Sequence, residues 1–270
     1  MTSSFDRVRF QALASARSLR LGQPIVSVRS TASTNDLALD AARSGGAHGA
    51  TFVADEQTHG RGRHGRSWLS APGESLLVSI LLRPRLPLSH AVALPLAVGL
   101  GVRKVVATLV GSNLATELKW PNDVLVSGKK ISGVLVESQI RGAELEAAVV
   151  GIGLNMGCLS FPPELSEQAT SLALLGAEGL QREAVLVELL SALDDYLRRI
   201  EDQGVAALSA ELERHDALRG CQLSVDGLVG RASGIDSTGR LLLIDEQGEA
   251  HALAAGHVVI LERASQSSDL

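Results

Sequence analysis

Between Leu114 and Ile152 four segments rich in Val, Ile and Leu follow one another with only short turns between them. They are Leu114–Trp120, Val124–Val126, Lys130–Gln139 and Glu144–Ile152, and the turns carry Asn122-Asp123, Ser127-Gly128 and Arg141-Gly142. Such runs, bounded by turn-forming pairs, are expected to be strands. Strands joined this tightly favour antiparallel pairing, because a parallel crossover needs about a dozen residues or more. The middle of the chain is therefore a sheet, and the rest must pack around it.

Upstream, Phe5–Leu21 is expected to form a short amphipathic helix, Pro24–Val28 a strand and Ser30–Thr34 a polar turn. A helix over Asn35–Arg43 is stopped by Gly45-Gly46. Thr51–Ala54 and Ser75–Leu82 are further strands, followed by a long helix over His90–Leu109. Downstream, Leu186, Leu189, Leu190, Leu193, Leu197 and Ile200 fall on one face of a helix over Leu180–Gln203. Gly204 ends it, and a shorter helix runs to about Arg214. After Leu218 the pattern changes to short strands, Cys221–Val225, Leu228–Ile235, Leu241–Asp245 and Ala250–Ala254. They indicate a compact β-barrel of about 45 residues, too small to carry much core alone.

At 270 residues, with 45% apolar and 20% charged residues, the chain has the composition of a soluble globular protein with one sizeable core and a small appendage. Asp6, Arg7 and Arg9 argue against a secretory signal. The longest apolar run, Ala91–Val102, contains Pro95 and stops at Arg103-Lys104, so a buried helix is expected rather than a membrane span. Cys158 and Cys221 make no disulfide framework, which points to a reducing cytoplasm. A net charge of -5 speaks against nucleic acid as the main partner.

Against that acidic background Gly60–Trp68 reads GRGRHGRSW. Glycine lets backbone N–H groups approach a ligand, and arginine offers forked donors for carboxylate and phosphate oxygens. Other signatures are missing: there is no G-x-x-x-x-G-K-[ST] string, no G-x-S-x-G elbow and no metal-type His or Cys spacing, and Gly151-x-Gly153 runs into Met156 where a dinucleotide fold needs glycine. Four further features remain. Ser33-Thr34-Asn35 is either a helix cap or a set of hydroxyl and amide groups for a polar heterocycle. Gln57 opens the loop with an amide that both donates and accepts. Lys119-Trp120-Pro121-Asn122-Asp123 sits at a strand–turn–strand junction, and Lys129-Lys130 follows the hairpin, with Asn155 ending a later strand.

Together these segments resemble the biotin protein ligase family, whose members activate biotin and attach it to a carboxylase carrier protein. The resemblance runs from about Ser30 to Val259, and rests on STN at Ser33, Gln57 ahead of GRGRHGRSW, KWPND, Lys130-Ile-Ser-Gly133 and GIGLN. It implies an α+β fold of the class II aminoacyl-tRNA synthetase/biotin ligase kind, a mixed, largely antiparallel sheet with packed helices, plus a small C-terminal SH3-like β-barrel. On that basis residues 1–23 are a short helical segment, 24–217 the biotin- and ATP-binding catalytic domain, 218–264 the SH3-like domain and 265–270 a tail. Only Met1–Arg29 precede the first ligand segment, too few for a winged helix-turn-helix of about 60 residues. The expected class is accordingly the one without an N-terminal DNA-binding domain.

The implied reaction makes biotinoyl-5'-AMP from biotin and ATP, then transfers biotin to a lysine of the carrier. It further implies Ser33, Thr34, Asn35, Gln57, Gly60, Arg61, Gly62, Arg63, Lys130 and Gly133 around biotin, with Lys130 on its carboxylate. Arg63, Arg66, Trp68, Lys119, Asn122 and Asn155 would hold ATP, with Trp68 over the adenine. Arg63, Lys130, Lys119 and Asp123 form the catalytic set; Asp123 either helps place Mg²⁺ brought in with ATP or orients Lys119. His64 stands where the family often has arginine and receives no role. Expected partners are biotin, ATP and the carrier domain, with no nucleic acid or membrane, in a monomer or homodimer. The alternatives are a lipoate–protein ligase of the same fold and, in a different class, a biotin-sensing repressor.

Overall fold

A computed structural model describes residues 4–142 and 144–264. The expected tail 265–270 and the first three residues of the N-terminal segment lie outside the described residues. The Asp6 carboxylate accepts the Val8 and Arg9 N–H groups and so starts helix α1 (Arg7–Ser15), which buries Phe10 and is shorter than the expected Phe5–Leu21. Strand β1 (Ile25–Thr31), helix α2 (Thr34–Arg43) and strand β2 (Thr51–Gln57) then form a parallel crossover unit, with β1 beside β2. Strand β3 (Ser75–Leu82) is buried at every residue, as its apolar run, interrupted only by Ser75 and Ser79, anticipates.

The long apolar helix begins later than expected. A 3₁₀ segment covers Leu88–Ala93, and helix α3 (Leu94–Val110) starts with Pro95 in its first turn, where the missing N–H costs nothing. The stretch His90–Val110 has the length and hydropathy of a membrane span. Most of it is nevertheless buried in the protein core, with Leu94, Leu96, Leu100 and Val106 all inaccessible.

Next come β4 (Thr116–Lys119), β5 (Asp123–Val126), β6 (Lys129–Arg141) and β7 (Glu144–Asn155), which pair antiparallel in succession as their turns require. β7 also pairs with β3, so the seven-stranded sheet has the order β1-β2-β3-β7-β6-β5-β4, and only the β1–β2 pair is parallel. The sheet is mixed and largely antiparallel, as expected. Helix α4 (Arg182–Gln203) lays its apolar stripe against α3 and α1, and helix α5 (Ser209–His215) follows a 3₁₀ turn.

The C-terminal region contains β8 (Gln222–Val225), β9 (Leu228–Ile235), β10 (Leu241–Ile244), β11 (Ala250–Leu253) and β12 (Val258–Glu262). They form one antiparallel sheet in the order β11-β10-β9-β8-β12, with β11 and β12 at its two open ends. β12 is an addition to the strands read from sequence. Leu223, Val225, Leu241 and Leu243 belong to the same apolar cluster as α3 and α4, so this sheet completes the main core rather than building its own.

Candidate active site

The glycine–arginine segment between β2 and β3 is a narrow loop closed by backbone hydrogen bonds. The Trp68 N–H donates to the Gly60 carbonyl at 2.9 Å, and the Gly62 N–H to the Arg66 carbonyl at 2.7 Å. Arg61 and Ser67 bridge between these rungs, and Arg63–Gly65 make a 3₁₀ turn at the tip. There His64 takes a left-handed backbone with φ 53°, a conformation uncommon outside glycine.

The loop folds back onto the sheet and forms one wall of a cavity of about 950 Å³. With the exception of Gly60, every residue expected at the site lines this cavity. Gly60 sits at the loop's neck instead, where an added Cβ would lie 2.7 Å from the Trp68 carbonyl oxygen.

The cavity floor explains two motif segments. Gly133 of β6 and Gly153 of β7 are register partners, and the Trp68 indole lies flat on the pair. A Cβ on Gly153 would come 2.5 Å from Trp68 Cε2, and one on Gly133 3.2 Å from its Cζ3. Asn35 similarly packs against Gly151, leaving no room for a side chain there. The GIG of GIGLN therefore serves close packing of side chains from elsewhere. Trp68 rests on the sheet with Lys130 Nζ 5.7 Å from its ring centroid, and its buried Nε1–H has no partner among the described residues.

One end of the cavity is neutral and internally hydrogen-bonded. Ser33 caps α2, its hydroxyl accepting the Asn35 N–H at 3.3 Å, and it also lines the cavity. The Thr34 N–H donates to Gln57 Oε1 at 2.7 Å, with the Thr34 hydroxyl 2.9 Å from the same oxygen. Below them Ser79 of β3 donates to Asn35 Oδ1 at 2.6 Å and lies 2.7 Å from Thr34 Oγ1. Asn35 Nδ2 in turn donates to Glu137 Oε2 at 2.6 Å. With its oxygen held by Thr34, Gln57 presents its amide nitrogen as a donor. Ser79 and Glu137 escaped the sequence reading because each sits inside a strand segment with no motif around it.

The other end is cationic. Lys119, at the end of β4, is partly buried and without an ion-pair or hydrogen-bond partner among the described residues; burial pushes its pKa down, as do Lys130, Arg66 and Arg263, against the pull of Asp123. Arg63 is half-buried, and burial lowers its pKa also, with Asp123 and Asp226 partly offsetting. Lys130 lies beside a β-bulge of β6 against β5, a device that re-aims side chains. Its Nζ pairs with Asp123 Oδ1 at 2.7 Å. Asp123 therefore faces Lys130 directly, and its charge also acts on Lys119.

Four more of the expected residues make contacts within the protein. Arg61 turns to Asp36 at 2.6 Å and Glu137 at 3.0 Å, which anchors the loop to α2 and β6. Asn122 commits its Nδ2 to the Val134 carbonyl at 2.7 Å, and Asn155 its own to the Thr170 carbonyl at 3.0 Å, so these amides brace the hairpin and the segment after β7. Arg66 reaches His257, just ahead of β12, and the His64 ring stands edge-on to the same histidine at 6.3 Å between centroids. Gly256, His257, Val258, Ile260 and Arg263 thus bring the C-terminal sheet to the cavity, a contribution that no sequence motif announced.

A neutral hydrogen-bonding slot continuous with a nest of cations is suited to a ligand with a polar uncharged head and an anionic tail, set against a second anion. The family model described as biotin/lipoate A/B protein ligase matches residues 27–155. The chain is 35% identical over 242 residues to a biotin--[acetyl-CoA-carboxylase] ligase of Mycobacterium tuberculosis, covering 87% of this chain and 88% of that one. It is 32% identical over 234 residues to the bifunctional ligase/repressor BirA of Bacillus subtilis, covering 84% and 71% respectively. The structure of the Aquifex aeolicus biotin protein ligase in complex with biotin and ATP superposes with a TM-score of 0.76 at 28% identity, over 89% of this chain and 99% of that one. This chain belongs to the biotin protein ligase family.

Proposed function

We propose that the protein is an ATP-dependent biotin ligase that makes biotinoyl-5'-AMP and transfers the biotinoyl group to a lysine of a biotin carboxyl carrier protein. The observation that carries this is the single cavity joining the Ser33–Asn35/Gln57 end to Arg63, Lys119 and Lys130. Biotin's urea ring offers N–H donors and a carbonyl acceptor, which suit the hydroxyls of Ser33 and Thr34 and the amide of Gln57. The valeryl tail then runs along the floor beside Trp68 toward Lys130.

In the first step a biotin carboxylate oxygen attacks the α-phosphorus of ATP; the bond from α-phosphorus to the bridging oxygen breaks, and pyrophosphate leaves. Two anions must meet, and their repulsion at contact reaches several kcal/mol at low effective dielectric, about 4 kcal/mol at an effective constant near 20. Arg63 and Lys119, having no counter-ion in contact among the described residues, are placed to offset it. Lys130 exchanges Asp123 for the biotin carboxylate, which leaves the Asp123 charge to hold Arg63 and Lys119 in position. In the second step the carrier lysine's amine attacks the acyl carbon, the carbon–oxygen bond to AMP breaks, and the amine gives up a proton. Free amine is about 0.1% or less of an unperturbed lysine at neutral pH, so a carboxylate or phosphate oxygen must take that proton. Mg²⁺ enters with ATP as part of the substrate.

We read residues 24–217 as the catalytic unit and 218–264 as an SH3-like unit that supplies His257 and Arg263 to the nucleotide side. Two buried free cysteines support a reducing, cytoplasmic setting. The test is biotin-dependent ATP–pyrophosphate exchange together with transfer of labelled biotin to a carrier domain. Exchange driven by lipoate instead would select the lipoate branch, and no exchange with either would overturn the ligase reading.

A further inference from the structure

We infer that Glu137 is a positioning residue that couples filling of the neutral end of the cavity to closure of the Gly60–Trp68 loop; this rests on the reading above that biotin fills that end. A single oxygen, Glu137 Oε2, takes both the Asn35 Nδ2 donor at 2.6 Å and an Arg61 guanidinium nitrogen at 3.0 Å. The other side of the guanidinium is held by Asp36 Oδ1 at 2.6 Å. Asn35 is buried, stacked on Gly151 and bonded to Ser79, so its amide can point only one way. Arg61 is the first arginine of the loop and bridges to Ser67 across its neck. An unbroken chain of contacts thus runs from the Thr34–Ser79–Asn35 network through Glu137 to the base of the loop.

An exposed ion pair alone contributes little. Here two carboxylates grip one planar cation, and one of them also receives a buried amide, so the loop's closed position is registered against the wall that the ligand's head touches. A head group that bonds Ser33 and Thr34 immobilises the start of α2 and with it Asn35 and Asp36, two of the groups that fix Arg61 through Glu137 or directly. Closure by this route encloses the acyl adenylate and keeps water from it.

The test uses the full chain with Glu137→Gln, Arg61→Ala and the double variant. Each is assayed by biotin-dependent exchange and by trypsin cleavage at the loop arginines with and without biotin. Each single change should raise KM for biotin about tenfold, the size of one charge-assisted contact, while KM for ATP stays within about twofold. Biotin should slow loop cleavage in the parent protein and fail to do so in either variant. The double variant should be no worse than the more severe single, because both changes remove one coupled contact.

Unchanged biotin KM with retained protection in Glu137→Gln would overturn the inference, and so would additive losses in the double variant. If Glu137→Gln does not fold, Arg61→Ala decides by the same protection readout at Arg63 and Arg66. Absence of exchange in the parent protein would instead overturn the ligase reading, so the two failures are distinguishable.

Discussion

The two ends of the cavity are built on opposite plans. At the neutral end the cavity side chains are tied to one another and to buried Ser79, and the groups sit on β2, β3 and the first turn of α2. At the cationic end the side chains of Arg63 and Lys119 have no partner in contact among the described residues, and Lys130 has one it must exchange. A hydrogen-bonded network can be largely formed before ligand arrives, because most of its donors find an acceptor within the fold. A cluster of positive charges cannot, since its counter-charge is the substrate. Ligand recognition and stability are therefore expected to coincide at one end and to separate at the other.

The sharpest way to break that contrast is Arg63→Ala. It should cut biotin-dependent exchange about a hundredfold or more, as loss of a transition-state donor does. The urea unfolding midpoint should move by no more than about 0.5 kcal/mol equivalent. A large loss of stability would mean that the cationic end is structural after all.

Gly153→Ala addresses the floor between the ends. Its Cβ would fall 2.5 Å from the Trp68 ring, so the indole must lift, at a cost of about 1–3 kcal/mol in overpacking. Both biotin KM and the tryptophan emission maximum should shift; an unmoved spectrum would show that the indole does not rest there. Ser79→Ala removes the hydroxyl beneath the neutral end and leaves Asn35 Oδ1 without that donor. A loss of about 1–3 kcal/mol in unfolding free energy is expected, accompanied by weaker biotin binding. Weaker binding with full stability would dissolve the contrast between the ends.

The smallest effect on the site should come from Asp216, at the join to the C-terminal sheet. Burial pushes its carboxyl up to about 6, and its Oδ2 has no partner among the described residues. The folded state then holds a proton that the unfolded state has already lost, so stability falls as pH rises from 3.8 to about 6. Asp216→Asn should flatten that slope and raise stability at pH 7 by about 1–3 kcal/mol, with exchange activity unchanged. A steeper slope in the variant would reverse the sign argued here.

The sheet and the long helices were legible because periodicity and turn chemistry are local signals. Leu186 to Ile200 shows a helical face, and Ser127-Gly128 can hardly be anything but a turn. The binding motifs were legible for a similar reason: STN, GRGRHGRSW and KWPND are contiguous, with residue types that strands and helices do not need. Ser79 and Glu137 were not, since VSILL and VLVES look like ordinary strand residues until the fold sets them against α2 and the loop. Arg61 illustrates the converse. Its backbone was expected beside the ligand, and the motif gave no hint that two carboxylates distant in sequence claim its side chain. β12 and His257 were missed because an exposed edge strand has weak alternation, and because long-range packing alone brings it to the cavity.

Trp120, from the same KWPND motif, is almost entirely inaccessible and donates its indole N–H to the Gly239 carbonyl in the β9–β10 turn at 3.0 Å. It rivets the hairpin that carries Lys119 and Asp123 to the far sheet. Removing residues 218–264 would thus do more than delete His257 and Arg263: it would strip the cover from the largest fully buried side chain and leave its N–H unmatched. A truncated chain should show red-shifted Trp120 fluorescence in a Trp68→Phe background, making this tryptophan an optical gauge of whether the two sheets remain docked.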